Sequence, residues 1–175
     1  TSLGLNGGTI NDPAGNTANL TLAAQNAANS ISDNQAIDID TTAATVSQVR
    51  STKADGEYDE GEVIDILVEW SEVVNVTNTP QITLDFATDY AVDYSSGTTT
   101  DTLTFQYTVQ AGHNSDDLDY VTTTSLGLNT TGVILDNAGN TANLTLAAQN
   151  AANSISDNQA IDIDTTDPTV VQVRS

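Results

Sequence analysis

Residues 14–42 of this chain recur residue for residue as 138–166, an identical stretch of 29 residues at an offset of 124. The flanks repeat as well. TSLGLN at Thr1–Asn6 returns at Thr124–Asn129, and VSQVRS at Val46–Ser51 returns as VVQVRS at Val170–Ser175. A period of this length is that of one ordinary domain, so 175 residues divide into one whole repeat and parts of two others. The expected boundaries are 1–43 for the C-terminal third of a preceding repeat with its linker, 44–167 for the complete repeat, and 168–175 for the start of the next. Such close identity marks a recent duplication, the way tandem arrays lengthen. The expectation is therefore an excerpt of a longer array.

Within the repeat the hydrophobic period is two. Ile64, Ile66, Val68 and Trp70 alternate with Val63, Asp65, Leu67 and Glu69; Ile82, Leu84 and Phe86 alternate likewise, as do Leu103, Phe105, Tyr107 and Val109. These read as half-buried strands. Further strands are expected at 45–50, 89–94, 118–128, 143–146 and 160–164, separated by Gly, Asn and Asp clusters. Seven or more short strands per repeat give an all-β fold, an immunoglobulin-like β-sandwich with Trp70 as a core anchor.

Composition then narrows the chemistry. There are 24 acidic and 3 basic side chains, one His, no Cys and a formal net charge of −21. No disulfide framework, thiol nucleophile or Cys-ligated zinc can exist. The charge repels phosphate backbones and anionic lipid, so neither nucleic acid nor membrane is an expected partner. No apolar run reaches a membrane-spanning length and no signal peptide is seen. The charge belongs mainly to the complete repeat: residues 1–51 carry a net −3, and Thr52–Ser175 a net −18.

Sandwich topology assigns those charges a place. If the strands run in sandwich order, three acidic segments meet at the pole where the chain leaves the fold. ADGEYDEGE supplies Asp55, Glu57 and Asp59; AGHNSDDLD supplies Asp116, Asp117 and Asp119; AIDIDTTDP supplies Asp162, Asp164 and Asp167. Asp38 and Asp40 are the counterparts of Asp162 and Asp164 in the first copy, and the opposite pole has Asp136 and Asn140 from LDNAGN. Clustered carboxylates repel one another unless a cation neutralises them. Oxygen-only donors from Asp, Asn and backbone carbonyls suit Ca²⁺, with its shell of 6–8 ligands, better than Mg²⁺. The EF-hand spacing fails, since Glu60 stands where that loop needs Gly and Ile66 where it needs a bidentate Glu. The thirteen residues just named are thus the expected metal ligands, held by convergent loops.

The succession DGEYDEGEVIDILVEWSEVV, TPQITLDF, DTLTFQYTVQAGHNSDDLDY, TSLGLN, DNAGNTANLTL and AIDIDTTDPTV resembles the bacterial immunoglobulin-like repeats of giant calcium-dependent surface adhesins. That resemblance implies an extracellular rod, secreted or on the cell surface, with calcium stiffening the junctions between identical repeats. It holds a binding tip away from the cell or builds a biofilm matrix. The family's linker falls on Asp164–Pro168 and its DAAGN-like loop on Asp136–Asn140; the first linker reads DTTAA at Asp40–Ala44 and lacks the counterparts of Asp167 and Pro168.

No reaction is encoded. Short loops on a small sandwich offer little cleft in which Asp116, Asp117 and Asp119 could act on a substrate, and the lone His113 reads as a solvated loop residue. Two other readings stay open. Residues 1–40 could complete a neighbouring chain by strand addition, making the protein a subunit of an extracellular filament or surface layer. Alternatively, the acidity could be an adaptation to high salt.

Overall fold

The computed structural model describes residues 3–174 and divides the chain into two compact units, Thr1–Asp40 and Thr41–Ser175. The second unit is an all-β sandwich built from one curled antiparallel sheet. Its strands are β1 (Val46–Ser51), β2 (Gly56–Tyr58), β3 (Val63–Thr77), β4 (Gln81–Leu84), β5 (Tyr90–Ser96), β6 (Thr100–Thr108), β7 (Leu126–Gly127), β8 (Val133–Asp136) and β9 (Ile161–Ile163). The sheet runs β1-β3-β6-β5-β4-β7, with β8 also on β3, while β2 and β9 form a separate parallel pair.

Curling follows from β3. Its first half pairs with β6 from Val63↔Thr108 to Glu69↔Thr102; then the register shifts before Val74, and the second half pairs with β8 through Val74↔Asp136 to Thr77↔Val133. An irregularity bends a strand and increases its twist, so one 15-residue strand serves both layers. Trp70 lies at the start of that bend and is 4% exposed. The alternating residues point inward as their period dictates: Ile64, Ile66, Val68, Ile82, Leu84, Leu103, Phe105 and Tyr107 are all buried.

Several expected elements differ. The segment 118–128 contains a strand only at Leu126–Gly127, with Tyr120 joining by a single bridge to Leu84, and 143–146 contributes one bridge, Thr45↔Asn143. The acidic segment after β1 contains β2, a strand not anticipated. His113 is no solvated loop residue. Its ring stacks on Phe86 at 4.4 Å, meets Tyr90 edge-on at 5.0 Å, and its Nδ1 lies 2.8 Å from Tyr107 Oη. Burial lowers the His113 pKa and pushes the Tyr107 hydroxyl up to about 12.

Residues 3–40 form no strand; the pairing there is the single bridge Asn11↔Thr17. The strands expected here as the end of a preceding repeat have no partner strand among the described residues, and the reading of 1–43 stays an expectation. The local turns of the segment nonetheless match those of the second copy. A one-turn helix, α1 (Ile31–Asn34), is capped by Ser30, whose hydroxyl accepts from Asp33 N; α2 (Ile155–Asn158) is capped by Ser154 in the same way. Local hydrogen bonding needs only neighbours in sequence, so it forms in both places, whereas a strand needs a partner. No helix among the described residues is long and apolar enough to cross a membrane.

Candidate cation-binding cleft

The parallel pair β2–β9 assembles the cleft. Gly56 N donates to Ala160 O at 2.9 Å and Asp164 N to Tyr58 O at 3.1 Å, setting Glu57 opposite Asp162 in register. On the other side of β9, Ser115 and Ile163 exchange two backbone hydrogen bonds of 2.8 Å, and Leu118 N donates to Ile161 O at 2.8 Å. Because successive strand residues face opposite ways, Ile161 and Ile163 anchor β9 in the core while Asp162 faces outward.

The result is a cleft of about 390 Å³ into which Glu57, Asp116, Asp162 and Asp164 all open, together with Asn114 and Thr166. No Lys, Arg or His lines it. Thr166 N donates to Asp164 Oδ1 at 2.8 Å, and Thr165 N to Asn114 Oδ1 at 2.9 Å, which orders the outgoing chain against the rim. Asp117 stands nearby. Partial burial raises its pKa, and the negative charges of Asp162, Asp119 and Asp55 add to the rise. Asp55 reaches the same end through its Oδ1, which accepts from Ala160 N at 3.1 Å.

The three acidic segments therefore do converge, and Asp55, Glu57, Asp116, Asp117, Asp162 and Asp164 gather at one end of the sandwich. Three others do different work. Asp119 is 2% exposed and accepts from Tyr120 N, Asn150 N, Ile155 N and Ser156 Oγ, so its oxygens hold the α2 loop instead of facing the cleft. Asp59 sits in the turn beyond β2, where its Oδ1 accepts from Glu60 N, and Asp167 is exposed outside the cleft lining. Asp38 and Asp40 belong to the first unit and are exposed.

At the β8 end, Asp136 is 2% exposed. Burial works to raise its pKa, but hydrogen bonds from the Asn140 side chain and backbone, and from the backbone of Gly139 and Ala138, outweigh that and hold it below the usual value. The Asn140 amide donates to Asp136 Oδ2 at 2.8 Å and to Thr42 O at 3.4 Å. A carboxylate oxygen of Glu72 lies within 4.8 Å of one of Asp136. Glu72 escaped the sequence reading because it lies within a strand; only the pairing of Val74 with Asp136 brings it near LDNAGN. Asn114 and Thr166 were missed too, as uncharged residues inside acidic segments.

No protein-family model, no curated protein and no solved structure matches the chain.

Proposed function

We propose that this chain is a non-catalytic, extracellular tandem-repeat module of a large cell-surface adhesin or matrix protein, an immunoglobulin-like repeat that binds Ca²⁺ and forms part of a stiffened rod. The observation that carries the reading is the cleft itself, with four carboxylates and no basic side chain in its lining. Four like charges in one concavity are mutually destabilising, and a divalent cation converts that repulsion into attraction. Carboxylate, amide, hydroxyl and backbone oxygens at the rim give the hard, numerous donors that Ca²⁺ accepts.

The cleft is formed where the chain leaves the sandwich through Asp164, Thr165 and Thr166. An ion there ties the departing segment to β2 and to the loop at Asn114–Asp116. In an array of identical repeats this would fix the angle between one repeat and the next; without the ion the Thr-rich linker leaves the repeats as flexible beads.

Calorimetric titration with CaCl₂ tests the reading. Saturable binding to the parent chain that is lost in Asp162→Asn/Asp164→Asn supports it, and equal heats from both proteins refute it.

A further inference from the structure

The chain leaves the sandwich through a set of hydrogen bonds that involves no carboxylate. Thr165 is tied to three consecutive residues of the loop between β6 and β7. Its N–H donates to Asn114 Oδ1 at 2.9 Å, its hydroxyl donates to His113 O at 3.1 Å, and the same hydroxyl accepts from Gly112 N at 3.0 Å. Thr166 adds a hydroxyl hydrogen bond to Asn114 Oδ1 at 3.3 Å. One side-chain oxygen thus accepts from two successive linker residues, which engages both of its lone pairs. The Asn114 amide nitrogen turns back to Gly112 O at 3.4 Å.

The loop is anchored on both sides of Asn114. Ser115 and Ile163 exchange two backbone hydrogen bonds of 2.8 Å, which pins the loop to the end of β9. On the other side the His113 ring stacks on buried Phe86 at 4.4 Å, and its Nδ1 lies 2.8 Å from Tyr107 Oη. Each bond to Thr165 is modest alone, being exposed or half-buried. The entropy of ordering Thr165 is lost only once, however, and three hydrogen bonds share that loss.

We propose that Asn114 and Thr165 latch the outgoing linker to the sandwich as far as Thr166, with or without a cation, and that Asn114 is the positioning residue of this junction. One consequence rests on the calcium reading. The ion then enters a cleft in which Asp164 and Thr166 already stand in place, and the movement left to the linker without the ion begins after Thr166.

Amide hydrogen exchange of the whole chain, followed residue by residue by NMR in chelator and again in CaCl₂, tests the latch. In chelator the Thr165 N–H should be protected, and Asn114→Ala should speed its exchange about tenfold, the amount that one ordinary hydrogen bond contributes. Thr165→Val removes the hydroxyl and should also speed exchange at residue 165, whereas Thr165→Ser keeps the hydroxyl and should stay close to the parent. Both positions lie outside the core, and unchanged protection in β3 and β6 reports that the fold is retained. A Thr165 N–H that exchanges freely in chelator overturns the proposal, as does one equally protected in the parent and in Asn114→Ala. Protection that arises only in CaCl₂ also overturns it and assigns the fastening to the ion. A parent that binds no calcium yet protects Thr165 removes the cation reading and leaves the latch standing.

Discussion

Glu57 and Asp162 stand directly opposite each other in the parallel β2–β9 pair, two like charges in register at the mouth of one cleft. Like charges placed across a strand pair cost about 0.2–1 kcal/mol. In chelator, Asp162→Asn should therefore raise stability by about that amount, seen as a small increase in Tm. In Ca²⁺ the same change should lower it relative to the parent, so the sign of the effect reverses with the ion.

Asp119 should behave in the opposite way. Its buried carboxylate binds the N–H groups of Tyr120, Asn150 and Ile155 and the Ser156 hydroxyl. Asp119→Ala leaves those donors unmatched in the interior, and a loss of about 2–5 kcal/mol is expected from urea denaturation. Both with and without calcium the loss should be the same size.

His113 gives the fold a dependence on pH. Burial against Phe86 and Tyr107 lowers its pKa below 6.5, so the unfolded chain binds the proton more readily than the folded one. Stability contributed by the neutral ring is complete above pH 6.5 and is lost as the pH falls from there toward the folded-state value. Denaturation midpoints between pH 5 and 8 should show this slope. His113→Phe, which keeps the stacking, should flatten it.

Ile31 and Ile155 occupy equivalent places in identical sequence, yet one is 76% exposed and the other fully buried. Ile155→Ala should cost about 2–5 kcal/mol, the range for emptying a packed site, while Ile31→Ala should change stability by less than about 0.5 kcal/mol. Paired urea melts of the two variants measure the difference directly.

That pair also shows what a sequence can reveal. Leu103, Phe105 and Tyr107 announce their strand because alternation is a local pattern, and the Ser-capped turns at Ser30 and Ser154 are local too. Ile161–Ile163 is a strand while Ile37–Ile39 is not, although both segments read IDI. No local signal separates them; the difference is the presence of β2. Convergence of Glu57, Asp116 and Asp162 was legible from sandwich topology. The inward turn of Asp119 was not, since an acid between Leu118 and Tyr120 looks the same whether it faces solvent or the α2 loop. Glu72 required knowledge of which strand lies beside β3.

Thermal denaturation of the chelator-treated chain, repeated in millimolar CaCl₂ and in molar NaCl without calcium, tests the calcium-stiffened rod most directly. An ion present at 100 times its Kd stabilises the folded state by about 2.7 kcal/mol, so CaCl₂ should raise Tm by several degrees where NaCl does not. A Tm that ignores CaCl₂ and climbs only in molar NaCl would contradict the calcium reading and make the charge of −21 an adaptation to salt.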